Sequence, residues 1–213
     1  METLHESLVA RIGAEPMARI ASARIGIAGA GGLGSNCAMH LVRMGFRRFV
    51  IADFDRVELS NLNRQFFFAH QVGEMKVTAL QANLVAINPE IEVETHSVCV
   101  SSDNIGSLFD SCDAVVEAFD RVEAKQLLVE RYLKKGRFLV AASGIGGWGD
   151  ADRIVTRKIG SAFYLVGDGV TEADESAPPM SAVVGIAAAK QADLVFSYVS
   201  GQWQKAKDDN IGS

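Results

Sequence analysis

Several features are scarce in this 213-residue chain, and each scarcity excludes a class of protein. There are three cysteines, Cys37, Cys99 and Cys112, none in a CxxC pair, so a four-thiolate zinc site cannot be built. The four histidines, His5, His40, His70 and His96, show no metal-ligand spacing, and no structural zinc is expected. The opening "METLHESLVARIGAEPMARI" carries acids and no continuous apolar core, unlike a secretory signal. With the odd cysteine count this points to a reducing cytoplasm rather than a disulfide framework. Long apolar runs are also missing. The most apolar late stretch, "SAVVGIAAAKQADLVFSYV", is broken by Lys190 and Asp193, whereas a span needs about 20 nearly uninterrupted apolar residues. A soluble protein with no membrane partner is expected. Positive charge is not in excess either: the formal net charge is −5, which makes nucleic acid an unlikely partner on electrostatic grounds.

What is present suits one globular domain over residues 1–213, with 48% hydrophobic and 22% charged residues. Residues 1–21 read as a helical arm, helical over 3–21 and broken at Pro16. Residues 22–143 alternate buried strands with helices. "ARIGIAG" (23–29), "RRFVIAD" (47–53), "DAVVEAF" (113–119) and "RFLVAAS" (137–143) are the short apolar runs of a parallel sheet, and 90–98 alternates as a further strand. Helices are expected over 33–45, 73–89 (stopping at Asn88-Pro89) and 121–135. This pattern predicts an α/β, Rossmann-like, doubly wound and mainly parallel sheet. Residues 144–200 form a crossover region: the glycine-rich "GIGGWGD", a late antiparallel strand pair from "RIVTRKI" and "AFYLVG", an acidic loop at 168–180 long enough to act as a mobile lid, and a closing helix at about 181–198. Residues 201–213 are a polar, fraying tail. The three cysteines are read as small packing residues.

The chemistry gathers around "IAGAGGLGSN" (27–36), where Gly29, Gly31 and Gly34 make a GxGxxG fingerprint and Gly32 adds a further glycine. Set between strand and helix, such a loop lets backbone amides approach phosphate under the positive helix N-terminus. Asp53 ends the next strand, where an acid meets a ribose hydroxyl. These features suit NAD, FAD or an adenosine nucleotide. The following "DFDRVELSNLNRQFFFAHQVGEMK" narrows the choice, because it places Asp55, Asn61, Arg64, Gln65 and Lys76 just past the sheet edge. Arg64 as a fork and Lys76 as a point charge suit a triphosphate better than a diphosphate bridge. Asp120, at the carboxyl end of a strand, either holds Mg²⁺ beside phosphate oxygens or caps the next helix.

"GAGGLGS", "DFDRVELSNLNRQ", the G-x-x-K of Gly73–Lys76, "INP" and "EAFD" stand in an order that resembles the ThiF/MoeB family of ATP-dependent adenylyltransferases, relatives of ubiquitin-activating enzymes. The resemblance covers roughly 20–150, with a weaker echo near the C-terminal end. It implies adenylation of the C-terminal Gly-Gly carboxylate of a small ubiquitin-like, ThiS-like sulfur carrier, with release of pyrophosphate, in thiamine (thiazole) biosynthesis, by a homodimer. It further implies that Gly29, Gly31, Gly32, Gly34 and Asp53 hold the adenosine and ribose. Asn61, Arg64 and Lys76 meet the phosphates, with Asp55 among the binding residues, and Asp120 binds Mg²⁺. Arg64, Lys76 and Asp120 carry the catalysis. The sequence departs from the family in lacking its zinc CxxC pairs and any cysteine over 144–180. That suits an enzyme closest to a short ThiF-type protein, one that stops at the adenylate. An arm arginine contributed across a dimer would be Arg11 rather than Arg19. Alternatives left open are a MoaD-like carrier, a peptide or a tRNA nucleoside as substrate, an NAD-dependent oxidoreductase, and a nucleotide-binding subunit without catalysis.

Overall fold

A computed structural model describes residues 2–201; the tail expected beyond Gly201 lies outside the described residues. The arm is two helices, α1 (Leu4–Ile12) and α2 (Ala14–Ser22). The break falls at Gly13, whose φ of 92° an L side chain rarely adopts, and not at Pro16. Pro16 sits in the first turn of α2, where a missing N–H costs nothing.

The remaining elements are β1 (Arg24–Ala28), α3 (Gly32–Arg43), β2 (Arg48–Ala52), α4 (Lys76–Ile87), β3 (Glu92–His96), α5 (Ile105–Phe109), β4 (Ala114–Glu117), α6 (Val122–Lys134), β5 (Phe138–Ala142), β6 (Thr156–Lys158), β7 (Phe163–Val166) and α7 (Ser181–Ser200). The strands form a seven-stranded sheet in the order β3-β2-β1-β4-β5-β7-β6. Every neighbouring pair is parallel except β6–β7. The expected doubly wound sheet, late antiparallel pair and closing helix are all present. β4 and β5 are buried throughout because helices cover both faces, which is why they read as unbroken apolar runs. β3, at the edge, is charged and half-exposed.

On one face α2, α3, α4 and α7 bury Ile20, Leu41, Leu80 and Val195. On the other, α5 and α6 bury Phe109, Leu128 and Tyr132. α7 is the one described helix long and apolar enough to cross a membrane by length and composition. Its composition has another cause: Val183, Val184, Ala187 and Ala188 are core residues, and Lys190 donates to the Ile154 carbonyl from its flank. At the far end of α7, Arg19 donates to the Ser200 carbonyl, a cation on a helix C-terminus, so the fold already uses this arm arginine. Arg11 is exposed on α1. Of the cysteines, Cys37 and Cys112 are buried as expected, but Cys99 is exposed, because the chain leaves edge strand β3 for solvent before reaching α5.

Candidate functional site

At the carboxyl ends of β1, β2, β4 and β5 lies a cleft of about 540 Å³, a volume typical of small-molecule sites. Its floor is the glycine loop. Gly29, Gly31 and Gly32 line it; Gly34 does not. A Cβ on Gly34 would stand 1.8 Å from the Gly29 carbonyl oxygen, so this glycine serves close packing of α3 on the loop. Gly32 lines the cleft and has a packing role as well. The room left by its missing side chain is filled by Val184 of α7, whose Cγ1 would lie 2.8 Å from an added Cβ. α3 starts here with no side-chain cap and no acid in its first turn, leaving its free N–H groups and positive pole facing the cleft.

Asp53 closes one wall. Its Oδ2 accepts from the Ala30 N–H at 2.6 Å and its Oδ1 from the Asp55 N–H at 2.8 Å, so it binds the end of β2 to the glycine loop. Burial pushes its carboxyl above the usual range, with those N–H bonds pulling the other way. Lys76 opens α4 and is buried, and its Nζ reaches Asp55 Oδ2 at 2.8 Å. Lys76 and Asp55, each expected at the site, therefore form one ion pair, with the lysine inside and the half-exposed carboxylate outside. Asn61 caps its own 3-10 turn (Leu59–Asn63), taking the Glu58 N–H on its Oδ1 at 3.1 Å. Arg64, held by Asn63 Oδ1 at 2.8 Å, has its guanidinium pKa lowered by burial. Its carbonyl accepts from Asn36 of α3, which fixes the segment against the glycine loop.

Opposite stand Asp120 and the end of β5. Asp120 is exposed on the cleft, and the N-cap of α6 is Arg121, so the capping alternative for Asp120 fails. Its carboxylate makes no hydrogen bond or ion pair among the described residues. A lone hard oxygen donor facing a phosphate-sized space fits Mg²⁺, which takes one or two carboxylates and completes its shell elsewhere. No cluster of three or more His, Cys, Asp or Glu exists among the described residues, so an all-protein metal cage does not fit.

Lys125 lines the cleft too, and the sequence reading missed it. It donates to Glu117 Oε1 and Oε2 at 3.2 and 3.1 Å and to the Ala142 carbonyl at 3.1 Å, tying β4 to β5. Glu117 is fully buried, and burial raises its pKa against the pull of that lysine. The available signal was position: Lys125 sits in the opening turns of the helix that follows a strand's carboxyl end. The acidic loop 168–180 is a fastened strap. Gly146 and Gly147 donate to the Thr171 and Ala177 carbonyls, Asn63 donates to the Pro179 carbonyl, and Arg153 pairs with Asp168. Thr171 and Glu172 thereby become part of the rim. A smaller hollow of about 340 Å³ beside β3 holds none of the expected residues, and its arginines, Arg24 and Arg48, are spent on Glu94 and Glu92.

Comparison with known proteins identifies the family and the fold. The ThiF family model matches residues 5–211. The adenylyltransferase and sulfurtransferase MOCS3 of Anopheles gambiae is 35% identical over 139 residues, which are 65% of this chain and 32% of that protein. The sulfur carrier protein adenylyltransferase of Thermus thermophilus is 34% identical over 136 residues, 63% of this chain and 50% of the relative. Ubiquitin-like modifier-activating enzyme 5 of Branchiostoma floridae is 31% identical over 180 residues, 79% and 42% respectively. The matched stretches thus span about a third to a half of these relatives. Among solved structures, E. coli tRNA N6-threonylcarbamoyladenosine dehydratase, TcdA, in complex with ATP shares the fold with a TM-score of 0.84, covering 93% of this chain and 94% of that one at 21% identity. E. coli MccB with ATP gives 0.70 over 92% of this chain and 61% of its own, at 20% identity. From the glycine loop through the fastened crossover strap, the chain belongs to the ThiF family.

Proposed function

We propose that this protein is an ATP-dependent adenylyltransferase that activates the C-terminal Gly-Gly carboxylate of a small ubiquitin-like sulfur carrier, ThiS-like and serving thiazole synthesis. The observation that carries the reading is the buried Lys76, held at 2.8 Å by Asp55 in a cleft floored by the glycine loop and flanked by Arg64. A triphosphate carries more negative charge than a dinucleotide's bridging diphosphate and gives both Lys76 and Arg64 a partner. Family membership and the names of the relatives support the same chemistry.

In this reading the nucleotide's phosphates lie over Gly31 and the N-terminus of α3, and Asp53 takes a ribose hydroxyl on its remaining lone pairs. The carrier carboxylate attacks the α-phosphorus, the bond from α-phosphorus to the bridging oxygen breaks, and pyrophosphate leaves from an acyl-adenylate. Lys76 and Arg64 stabilise the charge that develops on the phosphate oxygens; Asn61 and Asp55 position them. Asp120 would hold Mg²⁺, which when bound offsets phosphate charge. The chain acts as a single adenylating domain, as a homodimer, in the cytoplasm, with Arg11 the arm arginine available to a partner copy.

The full-length fold match to TcdA raises a second reading, a carboxylate on a tRNA nucleoside as acceptor. The net charge of −5 and Glu172 on the cleft rim weigh against RNA. Calorimetric titration with ATP and NADH tests the nucleotide choice. ATP binding that weakens at least tenfold in Lys76→Ala is expected; tight NADH binding with no ATP binding would overturn the proposal.

A further inference from the structure

The strap over residues 168–180 and the turn that leads into Arg64 meet at one side chain, Asn63. Its Nδ2 donates to the Pro179 carbonyl at 3.3 Å and lies 3.7 Å from the Met180 Sδ. Its Oδ1 accepts from Arg64 Nη1 at 2.8 Å. Both ends of a single planar amide are therefore committed, one to the strap and the other to the guanidinium. The strap's ties from Gly146, Gly147 and Arg153 stay within the crossover region. Among the described residues, Asn63 is its one hydrogen-bonded link to the segment 59–65.

Arg64 itself makes no hydrogen bond to the strap. Its stem crosses the glycine loop, with Cγ 3.5 Å from where a Cβ on Gly32 would stand. Nη1 is fixed between Asn63 Oδ1 and the more distant Ser60 carbonyl, at 3.3 Å, so its aim depends mainly on Asn63. Nε and Nη2 have no protein acceptor among the described residues, so one edge of the fork is held and the other is left for the cleft. We propose that Asn63 is a positioning residue that couples the strap to Arg64: with Pro179 seated on its amide the guanidinium is aimed, and lifting the strap frees it. This rests on the adenylyltransferase reading, in which an acceptor's terminal chain passes the rim at Thr171 and Glu172 to reach the phosphates. Opening the strap to admit that chain releases Arg64, and closing over it restores the cation's aim. Such coupling is reciprocal, so whatever fixes Arg64 also fastens the strap.

Glu172 and Glu175 are exposed on the strap, so cleavage there by a glutamate-specific protease reports how often it opens. Asn63→Ala, which cuts both bonds, is expected to be cleaved about fivefold faster without ligand, the scale of one neutral hydrogen bond. Arg64→Met removes no strap bond, yet it is expected to speed cleavage about threefold, because Asn63 loses the partner that orients it. A purely local role for Asn63 predicts no change in that variant. Saturating ATP, which engages Arg64, is expected to slow cleavage in wild type and not in Asn63→Ala. A wild-type cleavage rate in ligand-free Arg64→Met, or equal ATP protection with and without Asn63, would overturn the coupling. Faster cleavage accompanied by a lower melting temperature in both variants would mean global loosening and overturn it too. Wild-type protein that binds no ATP by calorimetry would overturn the wider reading, while the ligand-free comparison would still decide this one.

Discussion

Replacing Lys125 by methionine keeps the aliphatic stem and removes the ammonium that Glu117 shares with the Ala142 carbonyl. The Glu117 side chain is 1% exposed, so it cannot turn to water for compensation. Breaking a buried pair by removing one partner typically costs about 3–5 kcal/mol. Two features of the site hold the loss near the lower end. The Phe119 N–H still donates to Oε1 at 2.7 Å, and a carboxyl whose pKa burial already raises can take up a proton. A loss of about 3 kcal/mol lowers the melting temperature of a domain this size by about 6–12 °C. Protonation also sets the sign with pH. An acid whose folded pKa is raised destabilises as pH climbs through that value, so the deficit of Lys125→Met against wild type should narrow as pH falls toward 5. Urea unfolding across that range is the assay, with the double variant Glu117→Gln, Lys125→Met as control, expected to recover most of the loss. A single-variant loss under about 1 kcal/mol, or one independent of pH, would refute the view that this pair is desolvated and clamps β4 to β5 beneath Asp120.

Iodoacetamide should modify Cys99 alone, and bound ATP should slow it, since Cys99 is exposed on the cleft whereas Cys37 and Cys112 are buried. Burial pushes the Cys112 thiol up to about 11 and Cys37 higher still, so peptide mapping that found either of these first would count against the packing described. Asp168 should make the strap acid-sensitive. Burial raises its pKa, but the hydroxyl and N–H of Thr171, the Val170 N–H and Arg153 outweigh that and hold it below the usual carboxylate range. A depressed acid contributes stability above about pH 4 that is lost as pH falls through its folded value. Asp168→Asn should therefore lower stability at neutral pH and flatten its decline below pH 4, as read by urea midpoints; an unchanged acid slope would contradict this.

The parts of the molecule legible in the sequence are those whose cause is local. Buried parallel strands announce themselves as apolar runs, and the glycine loop lies between β1 and α3 because its spacing demands a strand-to-helix turn. What escaped the reading depends on distant partners. Gly32 is occupied by Val184 from α7, Asp55 and Lys76 meet only after folding, and Lys125 gains meaning from Glu117 and Ala142. Pro16 was a plausible breaker, but a first-turn proline is harmless and Gly13 made the break. The five-residue α5 carries too few residues for a helical period to register. Composition alone suggests a packing role for Cys99, and its exposure reflects where the chain leaves edge strand β3.

The central claim is that this cleft transfers AMP to a carboxylate. Exchange of labelled pyrophosphate into ATP, measured with Mg²⁺ and a carrier ending in Gly-Gly, tests it most directly. Exchange that requires the carrier's terminal carboxylate and collapses in Lys76→Ala is the predicted result; ATP binding with no exchange on any such carrier would contradict it.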